Sequence, residues 1–269
     1  MDAKFYPAMK AVKSGDLEKF KTLIAEDPSL ATSRSTCSHP TLLQCVVLDG
    51  KDLPHNVEMA QALIDAGAEI DAPFGACASM DNRACAELLL DHDASIDGTG
   101  GWTPIEEALY WNSTNVLALL LERGAKVQNI RTAAGLGRTD LIENYFNSDG
   151  TLKPEAGKID WPFSNLGLQK WPQDQQGIVN NAFVFACMHG HIDAAQLLLE
   201  KGAQINAIPG GFDFAGTGLH YAALNGHRAM VEFLLANGAD REIRDTKVNA
   251  VAAGWAEHGG HTNLLDLLS

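Results

Sequence analysis

Apolar positions in this chain fall in short, paired blocks with helical spacing rather than in long runs. In 217–227, TGLHYAALNGH, small and apolar residues cluster together and stop at Gly226. The next block, RAMVEFLLANGAD, carries Val231, Leu234 and Leu235 on one face and stops at Gly238. This spacing predicts two short helices joined by a tight turn, each closed by a glycine in the left-handed conformation.

The paired block recurs. Gly-His endings at His191, His227 and His261 lie 36 and 34 residues apart. Leucine-rich stretches with a shared ending stand upstream as ALIDAGAEID, ELLLDHDASID and ALLLERGAKVQ, with Gly67-Ala68 and Gly124-Ala125 in two of them and Asp93-Ala94 in the third. A period of this size marks stacked supersecondary units. One hairpin cannot bury its apolar face alone, so its neighbours must complete the core. Thr103-Pro104 reads as an N-cap followed by proline at the first helical position, where a missing N–H costs nothing. Ala222-Ala223 are small enough to let neighbouring helices approach closely.

These residues carry a resemblance to the ankyrin repeat, and TGLHYAALNGHRAMVEFLLANGAD is similar to one whole unit. The resemblance covers nearly the whole chain. It implies an all-α ankyrin-repeat solenoid of about eight helix-turn-helix units with short β-hairpin fingers. The units are placed at about 3–31, 41–72, 73–98, 99–128, 129–146, 179–208, 209–244 and 245–269 of one domain spanning 1–269. An insertion at 147–178, between units five and six, holds Trp161, Phe163 and Trp171 among Pro154, Pro162 and Pro172. Loops of that length inside compact arrays are uncommon and often functional. The expectation is either a plug over the degenerate fifth unit or a lid over the concave groove.

Composition narrows the function. Hydrophobic residues make up 46% of the 269 positions, ample for a packed core. Lys and Arg total 20 against 34 Asp and Glu, a net charge of −14 that repels phosphate backbones and argues against nucleic-acid binding. Cys37, Cys45, Cys77, Cys85 and Cys187 form no C-x-x-C pair, which argues against a disulfide framework or structural zinc and suits a reducing, cytoplasmic setting. No apolar run reaches membrane-spanning length, and no secretory h-region opens the chain.

Candidate chemistry gathers at the turn before each second helix. Aligned across units three to eight, those positions give Met80/Asp81, Tyr110/Trp111, Gly135/Leu136, Met188/His189, Leu224/Asn225 and His258/Gly259. With the fingers and the insertion, the expected groove-lining residues are Met80, Trp102, Tyr110, Trp111, Trp161, Trp171, Met188, His189, Phe212, Asp213, Phe214 and His258. Exposed aromatics on such a surface mark a binding site. The resemblance implies that His191, His220, His227 and His261 stabilise turns. His189 with His191 lacks a third ligand at metal spacing, so no metal and no cofactor is expected. Glu106-Glu107 at a helix start is explained by the helix dipole.

Two function classes follow, with a third behind them. The first is a binding module presenting its aromatic groove to a protein partner. The alternative is a small-molecule binder or acid–base enzyme of hydrolase or isomerase type, using His189, Asp213, Glu257 and His258 beneath the insertion. There a buried Glu257 would have a raised pKa. The third is an acidic inhibitor competing for a basic partner.

Overall fold

The computed structural model describes residues 3–36, 40–100, 102–157, 174–212 and 215–269. They fall into two compact units, 1–126 and 127–269. The N-terminal unit runs α1 (Tyr6–Ser14), α2 (Leu17–Glu26), a single turn α3 (Ser29–Thr32), α4 (Leu42–Asp49), α5 (Asn56–Asp65), α6 (Asp71–Met80), α7 (Arg83–Asp91), α8 (Pro104–Tyr110) and α9 (Thr114–Glu122). The C-terminal unit runs α10 (Ile130–Gly135), α11 (Thr139–Asn144), α12 (Gln175–Met188), α13 (Ile192–Glu200), α14 (Gly218–Leu224), α15 (Arg228–Ala236), α16 (Ala252–His258), a 3-10 turn (Thr262–Leu264) and α17 (Leu265–Leu268). No helix among the described residues is long and apolar enough to cross a membrane.

Each unit is a layered stack of antiparallel hairpins. First helices pack side by side: α4 on α6 and α6 on α8 in one unit, α10 on α12, α12 on α14 and α14 on α16 in the other. The second helices bury a recurrent triad, seen as Cys85, Ala86 and Leu89 in α7, Val116, Leu119 and Leu120 in α9, Ala194, Ala195 and Leu198 in α13, and Met230, Val231 and Leu234 in α15. Full burial of each Leu or Val is worth about 2 kcal/mol, and small residues beside them let the helices close up.

One terminator repeats. The amide of the alanine after the left-handed residue donates back to the leucine carbonyl five positions earlier: Ala68 to Leu63, Ala94 to Leu89, Ala125 to Leu120, Ala203 to Leu198 and Ala239 to Leu234, all at 2.9–3.0 Å. This satisfies a carbonyl that the helix end would orphan. Asp93 takes the left-handed position with φ +67°, where the sister hairpins place glycine.

The first helices share a start signal as well. Thr41, Thr103 and Thr217 each open a capping box, closed three residues later by Gln44, Glu106 and His220. The expected β-hairpin fingers are not strands: among the described residues the backbone pairing is a lone bridge between Phe146 and Leu152. Side chains close the fingers instead. Asp71 accepts from the Ser95 amide at 2.8 Å, and Asp97 from the Lys126 amide at 2.8 Å. Helix α12 begins at Gln175, inside the stretch read as insertion, with the Asp174 side chain capping the Gly177 amide.

Candidate functional site

The aromatic cluster expected in the N-terminal unit is built around a carboxylate. Glu107 stands in the second turn of α8, with Trp111 four residues on and therefore on the same face. The Trp111 indole donates to Glu107 Oε1 at 3.0 Å. Trp102, in the finger before the helix, donates its indole N–H to Glu107 Oε2. Tyr110 sits edge-on to both rings, with centroids 6.0 Å from Trp102 and 5.1 Å from Trp111. Burial pushes the Glu107 carboxyl up to about 7, against the opposing pull of the two indole donors, and adjacent Glu106 adds to the rise.

Only part of this cluster is covered. Trp102 and Tyr110 are half-buried, whereas Trp111 is 47% exposed. Met80, at the matching end of α6, is 38% exposed. Packing of α4 on α6 and α6 on α8 sets Asp49, Met80 with Asp81, and Tyr110 with Trp111 in one row at the C-terminal ends of these helices. Asp81 braces the row. In a left-handed conformation, its carboxylate accepts from the amides of Asn115 at 2.8 Å and Val116 at 2.9 Å, and so caps α9 of the next hairpin.

The C-terminal unit treats the same register positions differently. Met188 is buried, and Phe212 is only 2% exposed because it packs between Phe185 and Tyr221, with centroids at 5.6 and 5.0 Å. Both belong to the core, which corrects their expected place on an open groove. Glu257 is exposed, not the buried acid expected there. His258 is exposed and His189 half-buried. They lie at the ends of α16 and α12, separated by the hairpin of α14 and α15. Asp213, Phe214, Trp161 and Trp171 lie outside the described residues, as does most of the insertion with its expected lid or plug. The proposed catalytic quartet is therefore not assembled among the described residues.

The turn histidines are occupied by the fold. His227 Nε2 donates to the Met188 carbonyl at 2.9 Å, and His191 bonds the Gly135 carbonyl. His220 is fully buried. Its Nδ1 accepts from the Thr217 amide at 3.2 Å, and its Nε2 faces the Ala250 carbonyl at 3.3 Å. Desolvation holds all three below the usual histidine pKa.

The sequence reading missed two carboxylates. Glu107 could have been found from the four-residue spacing of Glu107 and Trp111. Asp245 gave no such sign. It is buried, and its oxygens take the amides of Lys247 at 2.8 Å, Val248 at 2.7 Å and Ala250 at 3.0 Å, and the Trp255 indole at 3.0 Å. Burial alone would raise its pKa. The indole and the three amides outweigh burial and bring it down to about 2. Thiol chemistry is muted: burial pushes Cys85 up to about 12 and Cys77 and Cys187 well above the usual thiol range. Among the described residues no group of acidic, histidine or cysteine side chains could hold a metal ion.

Comparison with known proteins agrees with this geometry. Family models for ankyrin repeats match residues 55–131 (three copies) and 183–235 (many copies). The chain carries ankyrin repeats. Across 99% of its length this ankyrin-repeat chain is 25% identical to a Caenorhabditis elegans protein named ankyrin repeat and KH domain-containing protein mask-1. Over 23% of its length it is 38% identical to palmitoyltransferase Hip14 of Drosophila melanogaster. It spans 11% and 10% of those two relatives, so it corresponds to a small part of either protein.

Proposed function

We propose that this ankyrin-repeat protein is a non-catalytic binding module that takes a protein partner on the Met80–Trp111 row of its N-terminal unit. One observation carries the reading: Trp111 is 47% exposed, yet its indole is held by Glu107. A large aromatic left in water but fixed in orientation suits a binding hot spot, because little side-chain freedom remains to be lost on association. Tyr110, edge-on to Trp111, supports the ring from the side. A reducing, cytoplasmic setting belongs to the same reading, supported by the buried thiols of Cys77, Cys85 and Cys187.

Photo-crosslinking tests it. A crosslinking residue at position 80 should trap a partner polypeptide, and one at Leu121, exposed on α9, should not. Trp111→Ala in the same chain should abolish the adduct from position 80. Equal trapping from both positions, or an adduct indifferent to Trp111→Ala, would overturn the proposal.

A further inference from the structure

We infer that the segment docking on this row is basic, with an arginine or lysine side chain laid across the Trp111 ring. The inference rests on the protein-binding reading and narrows it to one partner chemistry. Residues 40–126 hold fourteen acidic side chains against four basic ones. Three of the four basic groups are engaged within the unit: Arg83 with Glu122 at 2.7 Å, Arg123 with Asp91 at 3.0 Å, and Lys126 with Asp97 at 3.3 Å. Arg83 and Arg123 belong to the second-helix row, at the start of α7 and the end of α9. Lys51 follows in the turn after α4.

The docking row itself carries carboxylates and no cation: Asp49, Asp81 and Glu107 flank Met80, Tyr110 and Trp111. Among the described residues Asp81 forms no ion pair: its bonds are to the amides of Asn115 and Val116 and to the Asn115 side chain at 2.6 Å. An indole face set in such a field attracts a cation, first through its quadrupole and then through the surrounding negative charge. A guanidinium suits it best, because its plane stacks on the ring while its edge donates to carboxylates. The same field repels an acidic segment or a nucleic-acid backbone.

The test is calorimetric titration of the full chain with an arginine-containing basic peptide and with its Arg→Gln analogue. We expect the Gln analogue to bind at least about tenfold more weakly, and affinity to fall as salt rises. Trp111→Ala should weaken the basic peptide about tenfold, Trp111→Phe, which keeps a ring, by less than about threefold, and Leu121→Ala not at all. Unchanged far-ultraviolet dichroism certifies that each variant is folded. Equal affinity for wild type and Trp111→Ala would overturn the inference, because binding would then need only net charge. Tighter binding of an acidic peptide or an oligonucleotide would overturn it too. If the basic peptide fails while position 80 still traps a partner, the inference falls and the protein-binding reading stands.

Discussion

Each half of the molecule holds a carboxylate against an indole, and the two carboxylates titrate far apart. Asp245 meets one indole and three backbone amides, and lies at about 2. Glu107 meets two indoles, and lies at about 7. Burial pushes both carboxyls up, and at Glu107 it wins. At Asp245 the donors win: three fixed amide dipoles and an indole converge on it, whereas Glu107 relies on two side chains, one of them half in water. One carboxylate ties a finger to the core. The other stays chemically soft beside an exposed aromatic ring.

The largest break in this comparison is Asp245→Ala. It takes the acceptor from three part-buried amides and from the buried Trp255 indole at once, and should cost about 3 kcal/mol of C-terminal-unit stability in chemical denaturation. Asp245→Asn, which keeps one good acceptor, should cost less. If the alanine variant loses under about 1 kcal/mol, the view of Asp245 as the finger's tie is wrong.

Glu107 gives the next effect, with the opposite sign in pH. Its folded pKa of about 7 stands above its ordinary value of 4.5, so the folded unit holds the proton more tightly. The stabilisation is complete below 4.5 and is lost as pH rises through about 7. After allowing for partial exposure, the loss across that window is about 2 kcal/mol. Tryptophan emission from Trp102 and Trp111 should shift with a midpoint near 7. In Glu107→Gln that titration should vanish. A midpoint that survives the substitution would assign it to another group.

The histidines make the C-terminal unit lean the other way. His191, His220 and His227 are held below the usual 6.5, so the unfolded chain binds protons first as pH falls. Their contribution is present above 6.5 and is lost on acidification below it. The N-terminal unit fills two of the equivalent turns with asparagine: Asn56 donates to the Val46 carbonyl at 2.6 Å, and Asn82 to Val47 at 3.1 Å. Hydrogen exchange read peptide by peptide should therefore show mild acid loosening α12–α16 while α4–α9 hold. His220→Gln copies Gln44 of the α4 capping box. It should flatten the acid limb at a cost of about 1 kcal/mol near neutrality. Loosening of both units together would erase the contrast.

The fold was legible because the repeat writes its own boundaries. The leucine, left-handed residue and alanine at each second-helix end specify one backbone bond, and the sequence shows that triplet even where Asp93 replaces glycine. The finger chemistry was not legible. Asp245 and Trp255 are ten residues apart with a turn between them, and no helical or strand period relates them. Met188 and Phe212 were misplaced for a related reason. Register gives the position along a helix, but Phe212 comes from a finger whose path is set by packing on Phe185 and Tyr221. Trp102 likewise returns to Glu107 only because the finger folds back over α8.

The smallest expected effect on stability is at Trp111, and its smallness sharpens the comparison most. Trp255 is 6% exposed and shares the buried Asp245, so Trp255→Ala should destabilise its unit by about 3 kcal/mol, as Asp245→Ala does. Trp111 is 47% exposed and bonded to a carboxyl that is half-protonated near 7. Its removal surrenders little buried area and leaves Glu107 with the Trp102 donor, so Trp111→Ala should cost under about 1 kcal/mol. Denaturation midpoints of the two variants, measured side by side, decide the matter. A large loss at Trp111 would make it a core residue and remove the ground for placing a partner there. A small loss would mean that this exposed, pre-oriented ring contributes little to holding the fold, which leaves docking as its use.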